Sequence, residues 1–345
     1  MTEKTPVTFK PKQVVKRLLS VLGERSQDVI ISRFGLGVDT KRMTLEAIGK
    51  KYKITRERVR QIENYSIINI RKSKEYAKEK TVFDELRKVI NDLGALISEE
   101  ILLKHISKEK SIQNYIHFLL VVGEDFTKEK EDLEFKHRWS IDKDLAKKIH
   151  TSLRELYSTL SDDEILLESD MVDKFLGHLK DISDKYKNEE IAKRWLTLSK
   201  LIDKNPLGEW GKTSSSNINA KGMRDYAYLV IRRHGSPIHF REVAKLITEL
   251  FKKKAHVATT HNELIKDPRF VLVGRGLYAL SEWGYMSGVV RDVIKAVIEK
   301  NGPLTKEEII KKVLKERYVK ENTIMVNLQN TKFFRKSKDG KYNLA

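Results

Sequence analysis

The amino-acid sequence predicts a mainly α fold with small β wings, arranged as tandem helix-turn-helix and winged-helix domains. Amphipathic segments with a helical period recur along the 345 residues, and short β-type segments appear only after groups of such helices. In addition, one stretch occurs twice. Residues 94–106, GALISEEILLKHI, and 302–314, GPLTKEEIIKKVL, are identical at six of thirteen positions. A repeated supersecondary unit explains this similarity, although chance likeness between two amphipathic helices is the alternative.

The first predicted domain spans residues 1–78 and contains four helices. One helical face collects the apolar residues of the first helix, which are Val14, Val15, Leu18, Leu19 and Leu22. A second helix over 27–34 is stopped by Gly35 and Gly37. Thr44 is an N-cap residue for the third helix, and Thr55 caps the fourth after a break at Lys53 and Ile54. Two helices joined by so short a break form a helix-turn-helix.

The fourth helix has one apolar face and one polar face. Val59, Ile62, Ser66 or Ile67, and Ile70 follow the helical period and form the buried stripe. The opposite face begins with side chains that can reach phosphates and base edges, namely Arg56, Glu57, Arg58, Arg60 and Gln61. In a helix-turn-helix this part of the second helix enters the major groove. The alternative is a solvated charged face on an ordinary helical hairpin.

Residues 34–74, FGLGVDTKRMTLEAIGKKYKITRERVRQIENYSIINIRKSK, resemble region four of the primary bacterial sigma factors. That family carries an FGL stretch, a TLEEIG-like helix and a TRERVRQIE recognition helix. In the family, the module binds the minus-thirty-five promoter element and the flap of the RNA polymerase β subunit. The resemblance implies that Arg56, Glu57 and Gln61 contact base edges, while Arg58 and Arg60 lie near the backbone or support those contacts.

The side-chain chemistry agrees with part of this assignment. Arginine pairs with guanine, glutamine with adenine, and glutamate accepts a hydrogen bond from cytosine. Three further cations, Arg42, Lys50 and Lys51, are predicted to contact phosphates, which position a protein without specifying a sequence. Thr55, at the start of the helix, completes the predicted site.

After the first domain, three segments are predicted to be winged-helix-like domains, in which helices are followed by a β-hairpin. The predicted domains cover residues 81–142, a degenerate unit at 144–212, and the C-terminal unit at 287–345. In the last of these, Thr305 and Glu308 form a capping box, residues 322–328 form the third helix, and a wing turns at Asp339-Gly340. Residues 212–222, rich in serine and asparagine, are predicted to be a linker.

Residues 220–285 resemble the HARE-type helix-turn-helix, a winged-helix family found in chromatin proteins, restriction systems and the delta subunit of bacterial RNA polymerase. The stretches GSPIHFREVAKLI and HNELIKDPRFVLVGRGLYAL and the closing Trp283 carry this likeness. If the domain binds DNA, its third helix faces the groove and nearby cations contact phosphates. This possible second site comprises Thr259, Thr260, His261, Asn262, Lys254 and Arg275. The alternative is a partly buried helix whose polar residues are merely exposed.

Charge is unevenly distributed along the chain, whose net charge is +19. Residues 1–80 hold 20 Lys+Arg and 9 Asp+Glu, a net +11; residues 81–220 hold 22 and 27, a net −5; residues 221–345 hold 26 and 13, a net +13. Basic segments attract nucleic acid through counterion release, whereas the acidic middle repels it. We therefore assign the middle to spacing or protein contact.

Several function classes lack their signatures in the sequence. There is no cysteine, so thiolate metal sites and disulfides are excluded. The histidines between 234 and 261 match no zinc spacing, and Gly274-Arg275-Gly276 lacks the lysine and serine of a phosphate loop. We expect no enzyme, no metal and no cofactor. The chain has no secretory signal or membrane span, so we expect a cytoplasmic protein.

The predicted function is sequence-specific binding of double-stranded DNA in bacterial transcription. We find no segment resembling sigma region two, whose aromatic residues capture melted promoter DNA, so we do not expect the protein to open promoters by itself. RNA polymerase core, through its β flap, is the possible protein partner. The alternatives are a polymerase accessory subunit that acts by protein contact, and a non-specific architectural DNA-binding protein.

Overall fold

A computed structural model describes residues 7–286 and 288–345, which form two compact units. The first unit extends to Asp203 and includes Trp210–Thr213; the second comprises Lys204–Glu209 and Ser214–Ala345. Helices dominate both units, and the strands are short antiparallel pairs. The prediction of a mainly α fold with small β elements is therefore confirmed. None of the described helices combines the length and apolarity needed to cross a bilayer.

The first unit contains eleven α-helices and five strands within its described residues. Their bounds are α1 Pro11–Leu19, α2 Glu24–Phe34, α3 Leu45–Tyr52, α4 Arg56–Arg71, α5 Lys74–Lys78, α6 Lys80–Asp92, β1 Leu96–Ser98, α7 Glu99–Ile106, α8 Lys110–Val122, β2 Thr127–Glu129, β3 Arg138–Ser140, α9 Lys143–Thr159, α10 Glu168–His178, α11 Glu189–Leu196, β4 Ile202–Lys204 and β5 Trp210–Lys212. The strand order of the first sheet is β1-β3-β2, with all pairs antiparallel.

The predicted first domain shares part of its hydrophobic core with the segment that follows it. Buried residues of α1, α2 and the end of α4 belong to the same hydrophobic cluster as those of α6, α7 and α8. Phe34 packs edge-on against Phe118 with ring centroids 5.0 Å apart. Arg71 at the end of α4 donates hydrogen bonds to the carbonyls of Val121 and Val122. The helix-turn-helix is thus fixed to the segment that follows it.

A second core lies under α9, α10 and α11, with Trp195 and Trp210 fully buried. The indole of Trp195 donates to the carbonyls of Gly94 and Leu96 at 3.2 and 3.1 Å. Gly94 has a φ of +110°, and a Cβ there would lie 2.8 Å from Ile191. Only glycine fits this close approach of α11 to the start of β1.

The second unit contains six α-helices and five strands among the residues described. Their bounds are α12 Met223–His234, β6 Ile238–His239, α13 Phe240–Phe251, α14 Val257–Lys266, β7 Phe270–Leu272, β8 Leu277–Leu280, α15 Val290–Asn301, α16 Lys306–Glu316, α17 Glu321–Leu328, β9 Phe334–Lys336 and β10 Tyr342–Leu344. The first sheet has the order β6-β8-β7, and β9 pairs with β10.

The twice-occurring stretch folds alike in both places. Gly94 and Gly302 both have positive φ, at +110° and +75°. Leu96 pairs with Ser140 in the last strand of its hairpin, and Leu304 forms a bridge with Tyr342 in the last strand of the other. Helices α7 and α16 follow directly. The shared residues therefore mark the same local structure.

The segment predicted as a linker is packed rather than extended. Asn217 and Ile218 are buried, and the backbone carbonyl of Asn217 accepts a hydrogen bond from the side-chain amide of Asn205 at 3.3 Å. Serine and asparagine are abundant here because their side chains hydrogen-bond turns, which composition alone does not distinguish from a flexible connection.

A buried ionic group in the first unit predicts a pH dependence of stability. Arg138 donates from Nε to Nε2 of His150 at 2.8 Å and from Nη2 to Glu129 at 2.7 Å. Burial, and then the charge of Arg138, lowers the pKa of His150 to about 4, from an ordinary value of 6.5. The unfolded histidine therefore takes up a proton at higher pH than the folded one, so this stability is present above pH 6.5 and is lost as the pH falls towards 4.

We expect the free energy of unfolding, measured by urea titration, to fall by on the order of 3 kcal/mol across that pH window because of this one histidine. His150→Gln, which keeps an oxygen able to accept from Arg138, should flatten the slope. Glu99 is a separate contributor. Burial opposes the lowering of the pKa of Glu99, but hydrogen bonds from His117 and Lys128 hold it far below its usual range, so its stabilisation is lost only in stronger acid. If the unfolding free energy of His150→Gln depends on pH as steeply as that of the parent protein, the assignment to His150 is wrong.

Candidate nucleic-acid interface

The helix-turn-helix is formed by α3 and α4 around a small core of its own. Val29, Ile48 and Val59 are fully buried in it, with Met43, Leu45, Tyr52, Ile54 and Ile62 packed around them. The hydroxyls of Thr44 and Thr55 accept hydrogen bonds from the amides of Ala47 and Arg58, each at 3.1 Å. Both caps predicted from the sequence are therefore present, and they fix where each helix begins.

The turn between the two helices is tight. Lys53 has a φ of +56°, and the amide of Ile54 donates to the carbonyl of Gly49 at 3.0 Å. A Cβ on Gly49 would lie 2.7 Å from the carbonyl oxygen of Ile54. The absence of a side chain at Gly49 thus lets α4 start directly against α3. An ion pair of Arg33 with Glu63, at 3.2 Å, joins α2 to the middle of α4.

The polar face of α4 is exposed. The five predicted DNA-contacting side chains of this helix are all exposed on the surface of the first unit, and they are Arg56, Glu57, Arg58, Arg60 and Gln61. Thr55, at the start of the helix, is exposed as well. The buried stripe consists of Val59, Ser66 and Ile70, and the hydroxyl of Ser66 donates to the carbonyl of Ile62. Among the described residues of the first unit, nothing covers the face that the prediction turns towards DNA.

Four of these side chains form two pairs. Arg60 donates twice to Glu57, at 2.9 and 2.6 Å, and Arg58 donates to the side-chain oxygen of Gln61 at 3.1 Å. The hydrogen bond from Arg60 lowers the pKa of Glu57 and raises that of Arg60. Arg58 and Arg60, which were predicted to support base contacts, are therefore each hydrogen-bonded to a residue that was predicted to make such a contact. Arg56 makes no such pair in this part of the described chain, so its guanidinium is available.

The three cations predicted to contact phosphates differ in their surroundings. Lys50 is exposed and pairs with Glu46 at 2.9 Å, and Lys51 is exposed beside the ring of Tyr52. Arg42 is half-buried and donates from Nε to Asn114 of α8 at 2.9 Å. Burial lowers the pKa of Arg42. Its guanidinium thus joins two helical segments, a position that the sequence did not reveal.

Asn114 and Tyr115 are the functional residues that sequence reasoning missed. Asn114 is fully buried and donates to the carbonyls of Gly35 and Thr40, at 3.0 and 2.8 Å, while Tyr115 donates to that of Leu36 at 2.6 Å. These bonds hold the loop that leads into α3. The available signal in the sequence was the side-chain amide of Asn114 at the start of the apolar run NYIHFLLVV, because a polar side chain that is buried requires hydrogen-bond partners.

Helices α8 and α11, the third helices of the two segments that follow in the first unit, are both partly or largely buried. Asn114 to Leu120 and Val122 of α8 are buried, and α11 buries Ile191, Ala192, Trp195 and Leu196. Helix α8 is therefore apolar on most sides, whereas α11 keeps Glu189, Glu190, Lys193 and Arg194 on its outer face. Because Arg71 of α4 donates to the carbonyls of Val121 and Val122, α8 helps to position α4.

The possible second site in the second unit needs a correction. Thr260 was predicted to face the groove, but it is fully buried and its hydroxyl donates to the carbonyl of His256 at 3.0 Å. Thr260 lies on the inner face of α14, next to Leu264 at helical spacing. His261 is half-buried and stacks on Phe240 with centroids 4.1 Å apart. The exposed members of the site are Lys254, Thr259, Asn262 and Arg275.

No group of three or more histidine or acidic side chains in residues 7–286 and 288–345 is arranged to hold a metal ion. His239 and His261 both pack against the ring of Phe240 instead. Their proximity in sequence thus reflects packing around one aromatic ring.

Comparison with known proteins matches residues 18–72 to Sigma-70, region 4. The chain is 48% identical over 60 residues to RNA polymerase sigma factor RpoD of Helicobacter pylori, a match covering 17% of this chain and 9% of that protein. It is 51% identical over 49 residues to RpoS of Coxiella burnetii, covering 14% of each. With SigA of Clostridium acetobutylicum it shares 37% over 73 residues, or 21% of this chain and 19% of the relative. The similarity thus covers a small fraction of these relatives.

Proposed function

We propose that this protein binds double-stranded DNA sequence-specifically in bacterial transcription, as a regulator or RNA polymerase-associated factor, and that it does not act as a complete sigma factor. The exposed polar face of α4, within a segment that matches Sigma-70 region 4, carries the proposal. The basic first eighty residues favour association with a polyanion. This function places the protein in the cytoplasm, requires no cofactor and involves no enzymatic reaction.

In this proposal, Arg56, Glu57 and Gln61 contact base edges in the major groove. Their partners Arg58 and Arg60 are hydrogen-bonded to Gln61 and Glu57 and lie near the sugar-phosphate backbone. Lys50 and Lys51 contact phosphates, since both are exposed on α3 beside the turn. We assign Arg42 chiefly to holding the loop before α3, because its Nε is bonded to Asn114.

We further propose that residues 81–142, 144–212, 220–285 and 287–345 are winged-helix domains, with a HARE-type domain at 220–285. Support comes from the order helix, strand, two helices and hairpin in the first and third of these segments. In both, the strand after the first helix pairs with the last strand of the hairpin, giving the orders β1-β3-β2 and β6-β8-β7. Because α8 is largely buried and accepts hydrogen bonds from Arg71 of α4, the domain at 81–142 serves as a scaffold for α4.

Protein contact is the second candidate, and one observation favours it. Tyr65 and Ile68 on the later turns of α4 are 64% and 47% exposed, and because they are three positions apart on one helix they lie side by side on its surface. RNA polymerase core is the partner we would test, in a pull-down without DNA. Capture of the core together with no duplex binding at low salt would favour an accessory subunit over a DNA reader.

The deciding experiment selects bound duplexes from a random pool and then compares the selected with a scrambled duplex over a range of salt. We expect preference for the selected sequence at every salt concentration; equal affinities would indicate non-specific coating. Lys50→Ala should weaken both duplexes alike and reduce the salt slope by about 1, because one phosphate contact is lost. A change of preference in Lys50→Ala would contradict its assignment to the backbone.

A further inference from the structure

The hairpin at the end of the second unit concentrates positive charge. We call residues 332–344 the basic hairpin. Residues 332–341 hold five cations, Lys332, Arg335, Lys336, Lys338 and Lys341, against one acid, Asp339, a net +4. All five are exposed. None of them forms an ion pair with the described residues, whereas Lys50 and Arg60 of the first unit do.

The hairpin is also a fixed structure. Asn343 lies opposite Arg335 and Tyr342 opposite Lys336 in the β9–β10 pair. The amide of Ser337 donates to the carbonyl of Lys341 at 2.8 Å, and Gly340 supplies the positive φ of the turn. Its cations are therefore held close together, where a bound polyanion or salt would relieve their mutual repulsion.

Helix α17, directly before the hairpin, presents a different chemistry. Asn322, Val326 and Gln329 are exposed at spacings of four and three, so they share one face. The side-chain amides of Asn322 and of Gln329, the C-cap residue of α17, make no hydrogen bond with the described part of the chain, and Val326 is 66% exposed. Amides pair with adenine edges, and a small apolar side chain contacts the thymine methyl group.

We propose that the basic hairpin and helix α17 form a second site for double-stranded DNA, in which the hairpin contacts phosphates and Asn322 and Gln329 face base edges. This inference goes beyond the function proposed for α4, because it uses other residues in the other unit. It also differs from the site considered on α14, which lies in the preceding domain.

Other polyanions fit these surfaces less well. Single-stranded nucleic acids stack on exposed aromatic rings, but Phe334 is buried. The ring of Phe333 is covered by the side chains of Arg291 and Lys295, whose charged groups lie 4.3 and 4.8 Å from its centroid. A membrane surface calls for apolar side chains that insert, and the basic hairpin exposes none among its described large apolar residues. The major groove of RNA duplexes is too narrow for a helix face, whereas that of B-form DNA admits one.

The test uses the full chain and a scrambled duplex, and compares two triple variants that each remove three positive charges. The hairpin variant is Arg335→Gln/Lys336→Gln/Lys338→Gln. The matched control is Lys306→Gln/Lys311→Gln/Lys315→Gln, whose lysines are exposed on α16 of the same domain. Binding is followed by fluorescence anisotropy between about 50 and 200 mM salt, with urea unfolding to verify that both variants fold.

We expect the slope of log affinity against log salt to fall by about 2.7 in the hairpin variant, since each lost phosphate contact contributes about 0.9. The control should keep the slope of the parent protein. The same loss should occur when Arg56→Ala/Gln61→Ala is present, which separates this site from α4. An unchanged slope in the hairpin variant, or an equal loss in the control, would overturn the proposal.

Two further measurements examine the nature of the ligand. Gln329→Ala should alter the sequences selected from a random pool without changing the salt slope, as expected for a base contact. A hairpin variant that binds duplexes normally but no longer binds phosphatidylserine vesicles would show that the hairpin serves a membrane surface, and the DNA assignment would be wrong. Tighter binding of an RNA duplex than of the DNA duplex would also overturn it.

Discussion

We expect the Arg56→Ala/Gln61→Ala variant to lose the preference for its selected DNA sequence while keeping its fold. Both side chains are exposed on the first two turns of α4 and take no part in the core around Val59. A bidentate base contact contributes about 1–3 kcal/mol of discrimination. Two lost contacts should therefore reduce the ratio of selected to scrambled affinity by roughly 30-fold to four orders of magnitude, if the two positions are additive.

The measurement is competition between the selected and scrambled duplexes at a fixed salt concentration. Lys50→Ala/Lys51→Ala is the matched control, because it alters two exposed residues of the neighbouring helix α3. The control should lower both affinities and preserve their ratio, since phosphate contacts carry no sequence information. If the Arg56→Ala/Gln61→Ala variant retains the ratio, α4 does not enter the groove in the proposed orientation.

The second large effect concerns stability. Asn114→Ala should destabilise the first unit by about 2–4 kcal/mol, because it leaves the carbonyls of Gly35 and Thr40 and the guanidinium of Arg42 without their partner. Asn114 is fully buried, so water cannot replace the lost bonds without a local rearrangement. Urea unfolding at neutral pH measures the change.

Gln113→Ala on the same helix is the control for Asn114→Ala. Gln113 is half-buried and makes one hydrogen bond, to the carbonyl of Ser107 at 2.9 Å, so about 1 kcal/mol is expected. Asn114→Ala should also weaken duplex binding by the folded protein, because the loop it holds leads into α3. A smaller destabilisation than that of Gln113→Ala would show that the loop is held by other contacts.

Much of the helix-turn-helix could be predicted because its signals are local. Thr44 and Thr55 cap the helices where the sequence placed the caps, and Val59, Ser66 and Ile70 form the buried stripe. The exposed face of α4 follows directly, since a helix with one buried stripe presents its opposite side to solvent. The boundary at residue 78 stays a prediction, and the core shared by α1, α2 and α8 could not be predicted because it depends on contacts between distant segments.

Errors at individual residues have the same origin. Thr260 was assigned to the outer face of α14, whereas packing turned it inward. The basic hairpin shows the converse, because its cations were visible in the sequence while their lack of ion-pair partners, among the described residues, was not. Charge content is a property of composition, but charge compensation depends on which side chains the fold brings within about 4 Å.

The sequence by itself determined the mainly helical class, the caps and turn of the helix-turn-helix, and the side chains that α4 offers to a ligand. These properties arise from residues within a few positions of one another, whose preferences the chain carries in any context. Only the tertiary structure decided that α8 is a buried support, that Arg42 is held by Asn114, and that Thr260 lies on the inner face of α14. Which face of a helix is covered depends on contacts distant in sequence, and helical periodicity contains no information about them.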